Sequence, residues 1–196
     1  MPVNARRRFS QAISEGDGIS LVARVSAADD AAHLQEQGAE AVLIDGGIEG
    51  ALTQIRSATS LPVLVARSDV AGVPTDADAC LPDVGEDLDS LARVSNDLGG
   101  TCELAFRIDD EERLESVLEV LDPEIFVLAA PDAHGEDALE RVLDLLPDVP
   151  AGKLAIAELS GLSREDVAAL ERAGFDGVIV EPRRVSDLVG DAPPDV

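Results

Sequence analysis

Eight short apolar segments recur along the chain with helical stretches between them, and this alternation constrains the fold more than any other feature. The segments are GISLVARVS, EAVLIDGG, LPVLVARS, ADACLPDV, TCELAFRI, EIFVLAA, KLAIAELS and DGVIVEP. Each is a nearly unbroken apolar run, the first rich in β-branched residues, and this is the pattern of a strand covered on both faces. The intervening AADDAAHLQEQGA (ending at Gly38), IEGALTQIRSAT, GEDLDSLARVSNDLG, DDEERLESVLEVLD, GEDALERVLDLLP and SREDVAALERAG carry apolar residues at helical spacing. Only DVAGVPTD separates the third and fourth strands, so the third helix is expected to be reduced to a turn. A last short helix, RRVSDLVG, precedes the polar end DAPPDV.

Strands alternating with helices imply a parallel sheet, and eight of them imply closure into a compact α/β (βα)8 TIM barrel with reduced third and eighth helices. A typical barrel of this kind has about 250 residues; this chain has 196. The competing architecture is an open doubly wound sheet, against which stands the absence of a G-x-G-x-x-G turn after the first strand. The expectation is a single domain over residues 1–196, with a leading helix (FSQAISEG) inside 1–17 and a short tail over 186–196.

Charge narrows the partners. The chain holds 40 Asp and Glu against 15 Lys and Arg, a formal charge of -25, and its one lysine is Lys153. Such a surface repels nucleic acid and anionic membrane. A salt-rich cytoplasm, where screening removes most of the self-repulsion, accounts for the carboxylate excess; a high-GC genome accounts for the missing lysines alone. No apolar run approaches a membrane span and the start MPVNARRRFSQAISEGDG has no signal-peptide core, so a cytoplasmic location is expected. Cys80 and Cys102 lie in apolar strand-like segments without metal-ligand spacing and read as buried free thiols.

Three stretches, LPVLVARSDV, RIDDEERLESVLE and AELSGLSREDVAALERAGFDGVIVEP, resemble segments of indole-3-glycerol phosphate synthase. That tryptophan-pathway barrel closes an indole ring on a carboxyphenylamino-deoxyribulose phosphate. The likeness runs in order from about residue 9 to residue 182. It implies the barrel fold and a mouth that holds a phosphorylated substrate. The chemical groups differ. Where the resemblance calls for Glu-x-Lys at the end of the first strand, this chain has Arg24 and Ser26. The lysine of the third strand falls on Ala66, beside Arg67; the glutamate of the fifth falls on Arg107; the asparagine pair of the sixth falls on Ala129 and Ala130. The seventh strand keeps Glu158 and Ser160-Gly161, with Leu159 inserted between them. Arginine binds oxyanions well and gives up a proton badly, so the synthase reaction is expected to be lost or very weak.

In a barrel the strand C-termini form the active face. Here that face would carry Arg24, Ser26, Asp45, Arg67, Asp69, Asp83, Arg107, Asp132, His134, Glu158, Ser160, Glu181, Arg183 and Arg184. Two readings remain open for the inward Arg24 and Arg107: an internal ion-pair plug with Asp45, Glu158 and Glu181, or an anion pocket in which they act as planar forks. Ser160 and Gly161 offer backbone amides of the kind that grip phosphate, while VEPRRV substitutes Pro182 and two arginines for the family's small-residue loop. The SRED that follows Ser160-Gly161 is also a plain capping box of Ser163 and Asp166, and the GEDLD and DDEE stretches are acidic helix starts.

The candidate catalytic groups are therefore Glu158 and His134, the latter because imidazole titrates near neutrality. The candidate ligand or phosphate contacts are Arg24, Arg107, Ser160, Gly161, Arg183 and Arg184. His33 reads as a surface or packing residue. No spacing suggests a metal site, no cofactor is implied, and the partner expected is a small anionic ligand; the oligomeric state stays open. Functionally, three alternatives stand: a divergent, ligand-binding relative of the synthase, a non-catalytic structural or regulatory barrel with an ion-paired mouth, and a working synthase using unusual groups.

Overall fold

The computed structural model describes residues 8–16, 18–45, 49–67, 77–82, 92–93 and 102–189. Eight strands run in chain order, β1 Ser20–Val25, β2 Ala41–Asp45, β3 Val63–Arg67, β4 Ala79–Pro82, β5 Glu103–Ile108, β6 Ile125–Ala129, β7 Leu154–Glu158 and β8 Gly177–Val180. Each pairs in parallel with the next and β8 pairs with β1, which closes the barrel and rules out the open sheet. The helices are α1 Arg8–Ser14, α2 Ala28–Ala31, α3 Glu49–Ala58, α4 Glu111–Val120, α5 Glu136–Leu145, α6 Arg164–Ala173 and α7 Val185–Leu188.

Strand alternation sorts the apolar residues into two clusters. Val22, Leu43, Leu64, Leu81, Ala105, Val127, Ile156 and Ile179 point inward and fill the barrel. Their neighbours Ala23, Val42, Val63, Phe106, Phe126, Ala157 and Val178 point outward and pack with Ile55, Leu114, Val117, Val142, Val167 and Leu170 of the helices. This double burial is why the strands read as continuous apolar runs.

Helix α1 seals the N-terminal end of the barrel, placing Phe9 and Ile13 in the inner cluster. Both of its ends are held by the strands. Glu103 at the start of β5 accepts from the amides of Phe9 and Ser10, each at 3.0 Å, and the buried Ser20 hydroxyl donates to the Ile13 carbonyl at 3.0 Å. Gly177 makes room for the plug, since a Cβ there would stand 3.5 Å from Ile13 and 3.3 Å from the Ser20 carbonyl.

Two departures from expectation concern helices. The stretch read as a helix ending at Gly38 is α-helical only over Ala28–Ala31 and continues as turns. Its bonds tighten to three-residue spacing, as from Gln37 to Leu34 and from Gly38 to Gln35. The cap position is Ala27, which has no side-chain acceptor, and within the stretch only Ala31, Leu34 and Ala39 are buried, so little packing favours the wider helix. The helix expected over GEDLDSLARVSNDLG and the short DVAGVPTD connection lie outside the described residues, apart from helical Ala92 and Arg93.

Candidate active site at the barrel mouth

The inward register of four strands ends in a charged residue. Arg24 follows Val22, Asp45 follows Leu43, Arg107 follows Ala105 and Glu158 follows Ile156, each two residues on and hence on the same face. The apolar interior thus gives way to a polar layer at its C-terminal end. Glu158 is the centre of that layer. Arg107 donates through Nε to Glu158 Oε2 at 2.7 Å and through Nη2 to Oε1 at 3.1 Å, a two-pronged contact. Arg24 donates from Nη2 to the same Oε1 and from Nη1 to both oxygens of Asp45 at 3.1 Å. The Glu158 side chain is 16 % exposed, whereas that of Asp45 is 57 % exposed, so the first pairing is sheltered and the second is at the rim.

The ion-paired network is present, yet it does not seal the mouth. A cleft of about 720 Å³ opens beside it, within the range of small-molecule sites. All eight candidate residues line it: Arg24, Arg107, His134, Glu158, Ser160, Gly161, Arg183 and Arg184. Glu181 lines the cleft too, but it pairs with neither inward arginine, so among the described residues the carboxylates of the network are Asp45 and Glu158.

The remaining wall is apolar. Ala129, Ala130, Pro131, Ala133 and Ala138 form one side, Leu159 and Leu162 contribute from the loop after β7, and Leu188 from the end of α7. Ala133, Ala138, Leu162 and Leu188 were not singled out from the sequence, because isolated small or aliphatic residues near helix ends look like ordinary core. Only their place after strand ends marks them as mouth residues.

The two arginines after β8 differ. Arg184 donates from Nη2 to the Leu162 carbonyl at 3.0 Å and so ties its loop to the loop after β7. Arg183 is exposed and makes no side-chain hydrogen bond or ion pair among the described residues. On the other side of the cleft, Gly161 has φ +72, a backbone conformation costly for other residues, and nothing lies within 4 Å of where a Cβ would stand. Just beyond, the Ser163 hydroxyl accepts from the Asp166 amide at 3.2 Å and the Asp166 carboxylate accepts from the Ser163 amide at 2.8 Å. This capping box occupies the amides of Ser163 and Asp166, while Ser160 and Gly161 line the cleft on this side.

Other residues expected on the face are distributed differently. Arg67 shares its strand face with Val63 and Val65 of the outer cluster, while Ala66 is the inward residue of that strand end and is buried. Ser26 donates to Asp30 at 3.3 Å at the start of α2, and Asp132 is exposed beside the cleft without lining it. Asp69 and Asp83 lie outside the described residues. His33 is exposed, 3.8 Å from Glu36. Among the described residues no group of three His, Cys, Asp or Glu is placed to hold a metal ion, and no helix is long and apolar enough to cross a membrane. Cys80 and Cys102 are free thiols, buried and half-buried respectively.

Comparison with known proteins agrees on the barrel. The chain is 29 % identical over 185 residues to an indole-3-glycerol phosphate synthase of Variovorax paradoxus (strain S110), covering 88 % of this chain and 64 % of that protein. It is 29 % identical over 146 residues to an indole-3-glycerol phosphate synthase of Geobacillus sp. (strain WCH70), covering 68 % of this chain and 55 % of that one. The chain therefore spans less than two thirds of the length of either. Among solved structures, the barrel of a thiamine phosphate pyrophosphorylase from Pyrococcus furiosus matches with a TM-score of 0.66 at 14 % identity, covering 87 % of this chain and 93 % of that chain. No family model matches. The sequence likeness is thus to indole-3-glycerol phosphate synthase, weakly, and the fold is one that different phosphate-named barrels share.

Proposed function

We propose that this protein is a divergent relative of indole-3-glycerol phosphate synthase that binds a small phosphorylated or carboxylated ligand in the mouth cleft and has lost the synthase chemistry. One observation carries the proposal. The chain has 40 acidic residues against 15 basic ones, yet the cleft is lined by four arginines and two carboxylates. A locally cationic concavity in a strongly anionic molecule draws anions to itself and nowhere else nearby.

Division of labour within the cleft follows from which groups are free. Arg183 and the loop at Ser160 and Gly161 receive the anionic group, the alanine wall takes the apolar body, and Glu158 with His134 stands where acid or base work would be done. The synthase reaction is disfavoured because the positions of the family's first-strand glutamate and of its two lysines hold Arg24, Ser26 and Ala66 respectively. None of these delivers a proton as an ammonium does.

A second reading, a structural or regulatory barrel, is favoured by the Arg24–Glu158–Arg107 network, which neutralises the centre of the mouth without any ligand. One titration separates the cases. The chain has no Trp or Tyr, so fluorescent carboxyphenylamino-deoxyribulose phosphate can be followed against a dark background at high potassium chloride. The expected result is a saturable emission change without indole formation. Indole emission would establish a working synthase, and no change would favour the structural barrel.

A further inference from the structure

Arg24 and Arg107 reach one carboxylate from two strands. The Arg107 contact, Nε on one Glu158 oxygen at 2.7 Å and Nη2 on the other at 3.1 Å, is the fork that a guanidinium offers to any free carboxylate. Arg24 adds a further donor to the same carboxylate. Both arginine side chains are about one third exposed, at 31 % and 33 %, and both line the cleft. Glu158 stands at the last position of β7, so its carboxylate lies at the C-terminal mouth of the barrel, where the strand ends.

We propose that Arg24 and Arg107 form a carboxylate-binding site whose resident occupant is Glu158, and that a ligand carboxylate binds there by exchange with it. Asp45 makes the exchange feasible. Its two oxygens hold Arg24 through Nη1, a different nitrogen from the one on Glu158, so Arg24 stays in place when Glu158 swings aside. A tethered carboxylate competes at a high effective concentration, set by its short arm. A simple anion such as acetate cannot win against it, whereas a molecule already anchored in the cleft can. Glu158 thereby acts as a selectivity filter, admitting only ligands with a second point of attachment.

The identity of the exchanging ligand rests on the anion-cleft proposal above, but the receptor itself is testable without that ligand. Glu158→Ala removes the occupant. The variant and the native protein are titrated with sodium formate against sodium chloride at constant ionic strength, and melting is followed by calorimetry. At ten times the formate dissociation constant, the variant should gain about 3–5 °C in Tm. The native protein should not respond, and Glu158→Ala with Arg107→Met should not respond either. A folded Glu158→Ala variant that is no more sensitive to formate than the native protein overturns the proposal. Should that variant fail to fold, Glu158→Asp keeps the charge and shortens the arm, and it must then bind formate more tightly than the native protein does. A formate response with no binding of the fluorescent sugar phosphate would refute the ligand class while leaving the receptor intact; binding of that compound without a formate response would refute the exchange alone.

Discussion

Arg184 is bonded to Leu162 across the two loops that frame the cleft, its Nη2 donating to the Leu162 carbonyl at 3.0 Å. The return contact runs the other way, from the Arg164 Nε at the start of α6 to the Asp187 carbonyl in α7. Each loop thus lends an arginine to the backbone of the other, and Arg183 is left over. Replacing Arg183 with Met should weaken anion binding about tenfold or more, the scale of a charge-assisted hydrogen bond, with Tm unchanged. Replacing Arg184 with Met should instead lower stability by about 0.5–1.5 kcal/mol, the net worth of a single hydrogen bond. Calorimetric binding and melting of the two variants check the assignment, and equal loss of affinity without loss of stability in both would refute it.

Two aspartates at strand starts form the same bracket four strands apart and should respond oppositely to neutralisation. Asp78, before β4, accepts from the Val63 amide at 2.8 Å and returns its own amide to the Val63 carbonyl at 3.0 Å. Asp176, before β8, does the same with Ala155, at 2.8 and 2.9 Å. Asp78 is also ion-paired with Arg56, and Arg8 lies 3.7 Å away. Asp176 makes no ion pair among the described residues, and burial pushes its carboxyl above the usual aspartate range, more than the bond from Ala155 lowers it.

An acid whose folded pKa is raised binds its proton more tightly in the native state. Its contribution to stability therefore falls as pH rises from about 3.8 through the raised value, and the loss is complete above it. Asp176→Asn keeps an acceptor for the Ala155 amide and removes the buried charge. It should leave stability at pH 7 equal or improved. Asp78→Asn removes the carboxylate that the half-buried Arg56 guanidinium faces and should cost roughly 1–3 kcal/mol. Denaturant unfolding at pH 7 decides; a larger loss in Asp176→Asn than in Asp78→Asn would show that the ion pairs at Asp78 add nothing.

These brackets were invisible in the sequence, and the reason is instructive. The inward and outward alternation of Val, Ile and Leu is written into each strand, because slipping one residue would expose the core face to the wrong layer. Hence all eight strands were legible, and with them the strand-end residues Arg24, Arg107 and Glu158. Partner choice was not. Both Glu158 and Glu181 follow an inward apolar residue, but Glu158 takes both arginines and Glu181 none, a matter of ångström-scale reach across the axis. Arg67 and Ala66 are adjacent, and only the register assigns Ala66 to the inner face. The short α2 departs from expectation for a different reason: its apolar residues fall at helical spacing, but only Ala31, Leu34 and Ala39 are buried, too little area to extend the helix.

The two thiols should be inert in the native protein. Burial pushes the Cys80 thiol up to about 11 against a small opposing pull from Arg67, and it pushes Cys102 up to about 12, aided by the nearby Cys80, Asp78 and Glu103. At pH 8 the thiolate fraction of Cys80 is then about one in a thousand, and thiolate is the reactive form. Iodoacetamide at pH 8 should label neither cysteine until denaturant is added, as mass spectrometry would read. Rapid single labelling of the folded protein would place one thiol in a far more open setting than this.

Salt should act on the fold and on the cleft in opposite directions. Exposed carboxylates crowd the outer helices, with Glu111, Glu112, Glu115 and Glu119 on α4 and Glu136, Asp137, Glu140 and Asp144 on α5. At a net charge of -25, mutual repulsion destabilises the compact state at low ionic strength. The screening length falls from about 10 Å at 0.1 M salt to about 3 Å at 1 M, shorter than the spacing of most of these groups. Tm should therefore climb steeply between 0.1 and 1 M potassium chloride and flatten above. Over the same range, attraction of an anion to Arg183 at the exposed rim is screened as well, so its affinity should fall. The sheltered Glu158–Arg107 pair, by contrast, should hardly notice. Melting and binding curves measured across one salt series test both halves. A Tm that does not depend on salt would mean that the acidic surface is not a source of strain, and an affinity that does not depend on salt would locate the anion against the inner arginines rather than at Arg183.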